Sequence, residues 1–98
     1  MYGPLEMFIT QVMWCVYLLK SKIDGSWYTG VTINLRKRIF VHNSKQNQST
    51  KAKAPWSLIY YEACVNSKDA YAREKYLKSG MGKRYLKNRL KSFFSEHF

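Results

Sequence analysis

The stretch CVYLLKSKIDGSWYTGVTINLRKRIFVH, residues 15–42, predicts two paired strands followed by a helix. Residues 16–20 and 27–32 are rich in aromatic and β-branched side chains, which are typical of strands. Between them, Lys22-Ile23-Asp24-Gly25 contains the Asp-Gly pair of a tight hairpin turn. The two strands are therefore expected to pair, with Tyr17 on the first and Tyr28 on the second.

A short helix is predicted directly after the second strand, over residues 36–42. Asn34 is a good N-cap, and the apolar residues that follow it recur at helical spacing. Arg38 and His42 are four residues apart, so they share one face of this helix. Two phenols, a guanidinium and an imidazole arranged in this way can converge on one phosphate.

These residues resemble the signature of the GIY-YIG nucleases. The family's Gly-Ile-Tyr is matched loosely by Cys15-Val16-Tyr17, and its Tyr-Ile-Gly by Tyr28-Thr29-Gly30. The Arg-x-x-x-His pattern of the following helix is matched by Arg38 and His42, and the glutamate of a later helix by Glu74. The four matches occur in the family's order, each on the expected element.

The resemblance spans about residues 13–91, and its departures are Cys15 in place of Gly and Thr29 in place of Ile. It implies an α/β fold of the α+β kind, with a small three-stranded, mostly antiparallel sheet flanked by about three helices. The expected organisation is an N-terminal extension at residues 1–12, one nuclease domain at 13–94 and a C-terminal tail at 95–98.

By the same resemblance, the protein is a metal-dependent endonuclease that hydrolyses DNA phosphodiester bonds, in DNA repair or recombination. The sequence shows no extra reading helix or zinc finger, so any choice of substrate is expected to come from DNA shape. Mg²⁺ or Mn²⁺ is the implied cofactor. RNA as a substrate and a protein partner are left open. The alternative is a catalytically inactive nucleic-acid-binding module on the same fold.

The resemblance also assigns roles to individual residues. Tyr17 would act as the general base towards water, Arg38 would hold the scissile phosphate, and Glu74 would bind the metal. Tyr28 would orient water or phosphate, and His42 would assist proton transfer or bind phosphate. Because an ordinary tyrosine has a pKa of about 10, the role of Tyr17 requires positive charge nearby.

Two further helices and a third strand are predicted after the polar loop at residues 43–54. The strand covers residues 56–64, and strict alternation places Ser57, Ile59 and Tyr61 on one face and Leu58, Tyr60 and Glu62 on the other. The first of these helices is expected to begin at Asn66 or Ser67 and to run to Lys78, with Gly80 stopping it. The last helix is expected at residues 83–94.

Glu74 has two interpretations from the residues themselves. It shares a helix face with Ala70 and Leu77, an inward position where a carboxylate needs a cation. It also lies four residues before Lys78, which would make an ordinary surface ion pair of a few tenths of a kcal/mol. The family resemblance favours the metal-binding role.

Two basic segments are candidates for contact with nucleic-acid phosphates. The polar loop contributes Lys45, Lys51 and Lys53, and the last helix contributes Lys83, Arg84 and Lys87. For the loop, a solvated connection without a ligand is equally compatible with the sequence. Asn88 is a further site candidate by resemblance, with a plain surface role as its alternative.

The composition favours a polyanionic partner. Seventeen lysines and arginines against six acidic residues leave a formal charge of +11 in 98 residues, and 46% of the chain is hydrophobic, unlike a disordered basic tail. Nucleic acid is the first partner to consider and an anionic membrane surface the second. The bases are spread over several elements, which disfavours the membrane.

The sequence also bears on the protein's compartment. Residues 12–19 form an apolar run that is too short to cross a bilayer, and residues 1–11 lack the features of a signal peptide. Cys15 and Cys64 have no metal or redox spacing, so both are predicted to be small core residues in a reducing compartment. We therefore expect a cytoplasmic protein.

Overall fold

The computed structural model describes residues 12–96. At its centre is an antiparallel sheet in which β1 (Trp14–Ser21) lies between β2 (Trp27–Thr32) and β3 (Trp56–Cys64). The helices of this part of the chain are α1 (Leu35–Asn43), α2 (Ser67–Lys78), α3 (Gly80–Arg89) and α4 (Lys91–Glu96), and a 3₁₀ turn spans Lys51–Lys53. The predicted fold class is confirmed, with four helices instead of about three.

The structure describes only part of the expected N-terminal extension and C-terminal tail. The expected extension at residues 1–12 lies outside the described residues except for Val12. In the expected tail, Ser95 and Glu96 form the end of α4, and residues 97–98 lie outside the described range. None of the helices in the described part of the chain is both long and apolar enough to span a membrane.

The β1–β2 hairpin forms as its turn residues predict. Gly25 has a φ of +76°, a conformation that glycine adopts without strain. The Asp24 carboxylate accepts hydrogen bonds from the backbone N–H and the hydroxyl of Ser26, at 2.9 and 2.6 Å. Ser21 N–H then donates to the Ser26 carbonyl at 2.8 Å and closes the turn. The turn sets a register in which Tyr17 lies opposite Gly30.

The sheet has a covered face on each side. Tyr17 and Leu19 point towards α1, on what we term the α1 face, and Val16 and Leu18 point towards α2 and α3, on the α2 face. On the α2 face, the core is completed by residues of the two helices, namely Ala70, Leu77 and Leu86. Because both faces of β1 are covered, four consecutive residues of this strand are buried.

The alternation predicted for β3 is interrupted by a bulge. Leu18 pairs with Tyr60 but Leu19 pairs with Leu58, which leaves Ile59 as an extra residue. Leu58 consequently packs with the core of the α1 face, whereas Tyr60 packs with that of the α2 face. The prediction that Leu58 and Tyr60 share a face was wrong, because the extra residue reverses the alternation at this point.

The C-terminal helices also differ from the prediction. Ser79 is extended, with φ −76° and ψ 168°; it ends α2, and its hydroxyl accepts a hydrogen bond from Gly82 N–H at the start of α3. Gly80 therefore begins a helix and does not merely stop one. The predicted helix at residues 83–94 is two helices, since the chain leaves helical geometry at Leu90. A Cβ on Gly82 would collide with the Tyr76 carbonyl, so glycine permits the close return of α3 onto α2.

The two cysteines are half-buried free thiols; Cys64 packs against the core of the α2 face, but neither is fully buried as a core residue would be. Cys15 is the second residue of β1 and Cys64 is the last of β3, positions that the helices cover only partly. Burial, followed by the proximity of Cys64, raises the pKa of the Cys15 thiol. A raised thiol pKa disfavours the reactive thiolate.

Candidate active site

Tyr17 and His42 form a buried hydrogen-bonded pair. The Tyr17 hydroxyl lies 3.0 Å from Nε2 of His42, and their side chains come from the central strand and from the last turn of α1. Tyr17 is 1% exposed and His42 is fully buried. A phenol and an imidazole held in this way can exchange a proton without rearrangement.

Tyr28 completes an aromatic cluster around the pair. Its ring centroid lies 4.9 Å from that of His42 and 6.3 Å from that of Tyr17. The hairpin brings Tyr28 to this position, opposite Leu19 and on the same face of the sheet as Tyr17. Asn34 begins α1 by accepting a hydrogen bond from Lys37 N–H at 3.1 Å, as its sequence position predicts.

Gly30 creates the space that Tyr17 occupies. The two residues are cross-strand partners, and a Cβ on Gly30 would collide with the hydroxyl oxygen of Tyr17. The Tyr17 ring therefore lies against Gly30, where a larger residue would displace it. This contact gives the glycine of Tyr28-Thr29-Gly30 a structural role, because only a residue without a side chain leaves room for the Tyr17 hydroxyl.

Arg38 and Glu74 lie within electrostatic range of Tyr17. Burial is the largest influence and raises the pKa of Tyr17; the charges of Tyr28 and Glu74 raise it as well, whereas Arg38 interacts favourably with the phenolate and lowers it. Burial lowers the pKa of His42, and the charge of Arg38 lowers it further. The structure thus brings Tyr17, Tyr28 and His42 into direct contact, with Arg38 and Glu74 within electrostatic range of Tyr17. These influences favour a neutral phenol beside a neutral imidazole.

Thr50 contacts the second ring nitrogen of His42, a partner that was not among the predicted site residues. Its Oγ1 lies 2.8 Å from His42 Nδ1, and Thr50 is 1% exposed. The backbone carbonyl of Thr50 accepts a hydrogen bond from Trp56 Nε1 at 3.0 Å. Asn43 in turn binds the backbone of Trp56, donating to its carbonyl at 3.1 Å and accepting from its N–H. No local sequence pattern marks this loop threonine as a partner of His42.

Glu74 is partly buried and ion-paired with a lysine. Its side chain is 20% exposed and lies 3.2 Å from Lys78 Nζ, the surface ion pair expected at this spacing. Its charge also reaches Tyr17. Lys78 therefore supplies one cation for this carboxylate.

The donor set around Glu74 is compatible with a hydrated Mg²⁺ or Mn²⁺ ion. Within residues 12–96, no three His, Cys, Asp or Glu side chains are grouped closely enough to hold a metal ion among themselves. Mg²⁺ is commonly bound through one or two carboxylates, with water and substrate phosphate completing its shell. A single carboxylate whose charge reaches Tyr17 fits that pattern, and it does not fit a structural zinc site.

The predicted phosphate-binding residues occupy different surroundings. Lys83 and Lys87 line a cavity that also contains Tyr28 and Thr29. Lys53 is paired with Asp24 at 3.3 Å, so its charge is partly neutralised. The others are exposed, on the loop or on α3, and do not line the cavity beside Tyr28: Lys45, Lys51, Arg84 and Asn88.

Comparison with known proteins identifies the family and relatives of this chain. Residues 13–88 match the family model of the GIY-YIG catalytic domain. The chain is 45% identical over 64 residues to a UPF0213 protein of Clostridium perfringens. This match covers 64% of this chain and 68% of that protein. It is 36% identical over 95 residues to a UPF0213 protein of Pediococcus acidilactici, covering 90% of each.

A solved structure is similar to the chain as well. The solution NMR structure of a UPF0213 protein from Bacillus halodurans shares 34% sequence identity, covers 76% of this chain and 81% of that one, and superposes with a TM-score of 0.48. The family match covers most of the chain and includes all five residues of the predicted catalytic set. The chain therefore belongs to the GIY-YIG family, and its relatives include the UPF0213 proteins.

Proposed function

We propose that this protein is a divalent-metal-dependent endonuclease that hydrolyses DNA phosphodiester bonds. The observation that carries the proposal is the buried Tyr17–His42 hydrogen bond of 3.0 Å, with Arg38 and Glu74 in electrostatic range of Tyr17. Hydrolysis needs a base for water, a cation for the phosphate and a carboxylate for a metal, and this cluster contains one of each.

Tyr17 needs a route for its own proton before it can act as a base. An ordinary phenol is only about 0.1% ionised at pH 7, and burial makes ionisation of Tyr17 harder. When His42 carries its proton on Nδ1, Nε2 is free to accept the Tyr17 proton while Nδ1 donates to Thr50. Tyr17 then takes a proton from the attacking water, and the Arg38 guanidinium stabilises the phenolate and the phosphate.

The remaining residues bind and orient. Glu74 would hold Mg²⁺ or Mn²⁺, which when bound supplies a Lewis acid for the phosphoryl oxygens. Arg38 suits the scissile phosphate because a guanidinium can donate two parallel hydrogen bonds to its oxygens. The Tyr28 ring borders both Tyr17 and His42, and its hydroxyl would orient water or phosphate.

We place this activity in DNA repair or recombination, with substrates selected by their shape. The motifs that read bases most directly insert a helix or a zinc finger into the major groove. Within residues 12–96, no element is present beyond the sheet and the helices that build the nuclease fold. Selection by DNA shape and flexibility needs no such element.

The alternative, a catalytically inactive nucleic-acid-binding module, is favoured by one observation. Glu74 is already paired with Lys78, so a metal ion would have to displace the Lys78 ammonium group or share the Glu74 carboxylate with it. A module of this kind would bind DNA without metal and leave it intact.

The deciding experiment compares the wild type with Glu74→Gln on labelled single-stranded, duplex, flapped and branched DNA and on RNA. Each substrate is incubated with Mg²⁺, with Mn²⁺ and with a chelator, and binding is measured separately. We expect metal-dependent cutting by the wild type and a loss of about 100-fold or more in Glu74→Gln, with binding retained.

Glu62→Gln is the matched control, because Glu62 is also ion-paired, but with Arg73 on the α2 face. It should cut as the wild type does. If the wild type binds DNA and cuts none of the substrates under any condition, the nuclease proposal is wrong and the binding module is correct. If the wild type does cut, the ranking of the substrates tests the placement in repair or recombination.

A further inference from the structure

We propose that a basic groove along β2 holds the nucleic-acid strand that leaves the active site. The groove rests on the proposed function for one point only, namely that the scissile phosphate binds beside Tyr17 and Tyr28. Its contacts with phosphate are tested by binding alone, so it can succeed or fail independently of cleavage.

Two cavities join to form this groove. The first, of about 550 Å³, is bordered by Tyr28 and by Lys78, Lys83 and Lys87 of α2 and α3. The second, of about 730 Å³, lies between the hairpin turn and α4. Trp27 and Lys87 line both cavities. The two cavities therefore adjoin at these residues, and together they extend from Tyr28 to the hairpin turn.

The charge of the groove favours a polyanion. Five lysines line it, namely Lys20, Lys78, Lys83, Lys87 and Lys91. Asp24 is its acidic lining residue, and that carboxylate is paired with Lys53 at 3.3 Å. Apart from Lys78, which pairs with Glu74, these lysines form no ion pair with any residue between 12 and 96. Four ammonium groups are therefore available to a ligand.

The length of the groove suits several phosphates. A fully extended chain advances at most about 3.3–3.6 Å per residue, so the path from Tyr28 of β2 to Gly25 in the turn covers at most about 10 Å. Phosphates of one strand of a DNA duplex are spaced about 3.4 Å apart along the helix axis. The groove can therefore contact about three consecutive phosphates beyond the one at the active site.

The walls of the groove favour a nucleic acid over an apolar partner. The Trp27 and Phe94 rings are stacked, with centroids 5.3 Å apart and an angle of 13° between their planes. This pair lines the second cavity together with three lysines, Lys20, Lys87 and Lys91. Position adds a second reason, since the groove begins at Tyr28 of the proposed phosphodiesterase site.

The test removes two lysine charges from the groove and compares the effect on DNA binding with that of removing two lysine charges elsewhere. Lys87→Gln/Lys91→Gln alters the groove, whereas Lys68→Gln/Lys75→Gln removes the same charge from exposed positions of α2 that line neither cavity. Binding of labelled duplex and single-stranded DNA to the full chain is measured without divalent metal, over a range of salt concentrations.

We expect the groove variant to bind DNA more weakly and the slope of log K against log salt to become shallower by about 1.8 for duplex or about 1.4 for single strands. The control pair should leave the slope nearly unchanged. If the two double variants weakened DNA binding equally, the groove proposal would be wrong, because binding would then depend on the total charge and not on its position. It would also be overturned if the groove variant lost binding to anionic lipid vesicles and retained its binding to DNA.

The outcomes also separate the groove from the nuclease. A wild type that binds DNA through the groove but does not cut it leaves the groove intact and removes the nuclease proposal. If the wild type cuts DNA but the two lysine double variants bind it equally well, the nuclease proposal stands and the groove is wrong. Circular dichroism of each variant tests whether the protein is still folded, so that a change in the salt dependence of binding is not mistaken for unfolding.

Discussion

Thr50 controls the orientation of His42 through a single hydroxyl group. Its Oγ1 is 2.8 Å from Nδ1, on the side of the ring opposite Tyr17. Thr50→Val keeps the shape of the side chain and removes this contact. We expect a loss of up to about 100-fold in cleavage, because the imidazole is no longer held against Tyr17. Leaving a buried imidazole nitrogen without its partner should also cost about 1–3 kcal/mol of stability.

Thr50→Ser is the control, since it restores the hydroxyl and should restore cleavage. ¹⁵N NMR of the His42 ring distinguishes a positioning role from a purely structural one. The wild type and Thr50→Ser should carry the proton on Nδ1, and Thr50→Val should shift it towards Nε2. A wild type with its proton on Nε2 would contradict the proton route proposed for Tyr17.

Gly30 is the second residue whose effect can be isolated. A methyl group there would collide with the Tyr17 hydroxyl, so Gly30→Ala must displace the phenol or the strand. We expect cleavage to be lost and the free energy of unfolding to fall by about 1–3 kcal/mol. Urea denaturation and the cleavage assay measure the two effects.

Gly80→Ala provides a matched control for this substitution. A Cβ at Gly80 would have no heavy atom within 4 Å, and the residue is helical. Its stability should be unchanged or higher by up to about 1 kcal/mol, with normal cleavage. If Gly30→Ala behaved like Gly80→Ala, the close contact assigned to Tyr17 would be incorrect.

At the scale of elements, an ion pair connects β3 to α2. Arg73 donates two hydrogen bonds of 2.8 Å to the Glu62 carboxylate, and the Tyr60 hydroxyl donates a third of 2.8 Å. The Arg73 guanidinium also lies over the Tyr85 ring of α3, 4.8 Å from its centroid. Burial, with hydrogen bonds involving Glu62 and Tyr85, raises the pKa of Tyr60 to about 12. One cluster thus joins the strand to two helices.

The stability contributed by Glu62 should depend on pH in a definite direction. The hydrogen bonds from Arg73 hold the pKa of Glu62 below its ordinary value of 4.5. A lowered folded-state pKa means that the unfolded state binds protons more readily in acid. The stabilisation is therefore present above about pH 4.5 and is lost as the pH falls through the lowered pKa.

We expect Glu62→Gln to lower the free energy of unfolding by about 1–2 kcal/mol at pH 7, and the difference from wild type to shrink towards pH 3. Urea denaturation across this pH range measures it. Glu74→Gln should change stability by less than about 0.5 kcal/mol at pH 7, because its pair with Lys78 is a surface contact. A Glu62→Gln difference that grows in acid would refute this assignment.

For the molecule as a whole, the charge of +11 has opposite effects on folding and on binding. The ion pairs found between residues 12 and 96 engage three of the acidic side chains, so most lysines and arginines repel one another without compensation. Salt screens this repulsion, and it also weakens the attraction to phosphate.

We therefore expect added NaCl to raise the midpoint of urea unfolding while it weakens DNA binding. Both are measured on the same preparation across the same salt series. Lys68→Gln/Lys75→Gln should reduce the salt dependence of stability and leave that of binding nearly unchanged. A midpoint that falls with NaCl would show that attractive ion pairs outweigh the repulsion.

The features determined by sequence alone were those that depend on residues close together in the chain. The Asp24-Gly25 turn, the caps at Asn34 and Asn66, and the shared helix face of Arg38 and His42 each follow from a few neighbouring residues. The order of the family motifs then predicted the sheet and brought the five catalytic candidates together, because motif and element coincide.

The tertiary structure alone decided the contacts that join distant residues. The bulge at Ile59 depends on pairing between β1 and β3, and the turn at Ser79 depends on how closely α3 packs on α2. Thr50 reaches His42 because Trp56 and Asn43 anchor its loop. Such contacts form only once the sheet register and the closure of loops have set the positions of individual atoms, and no local pattern in the sequence encodes those positions.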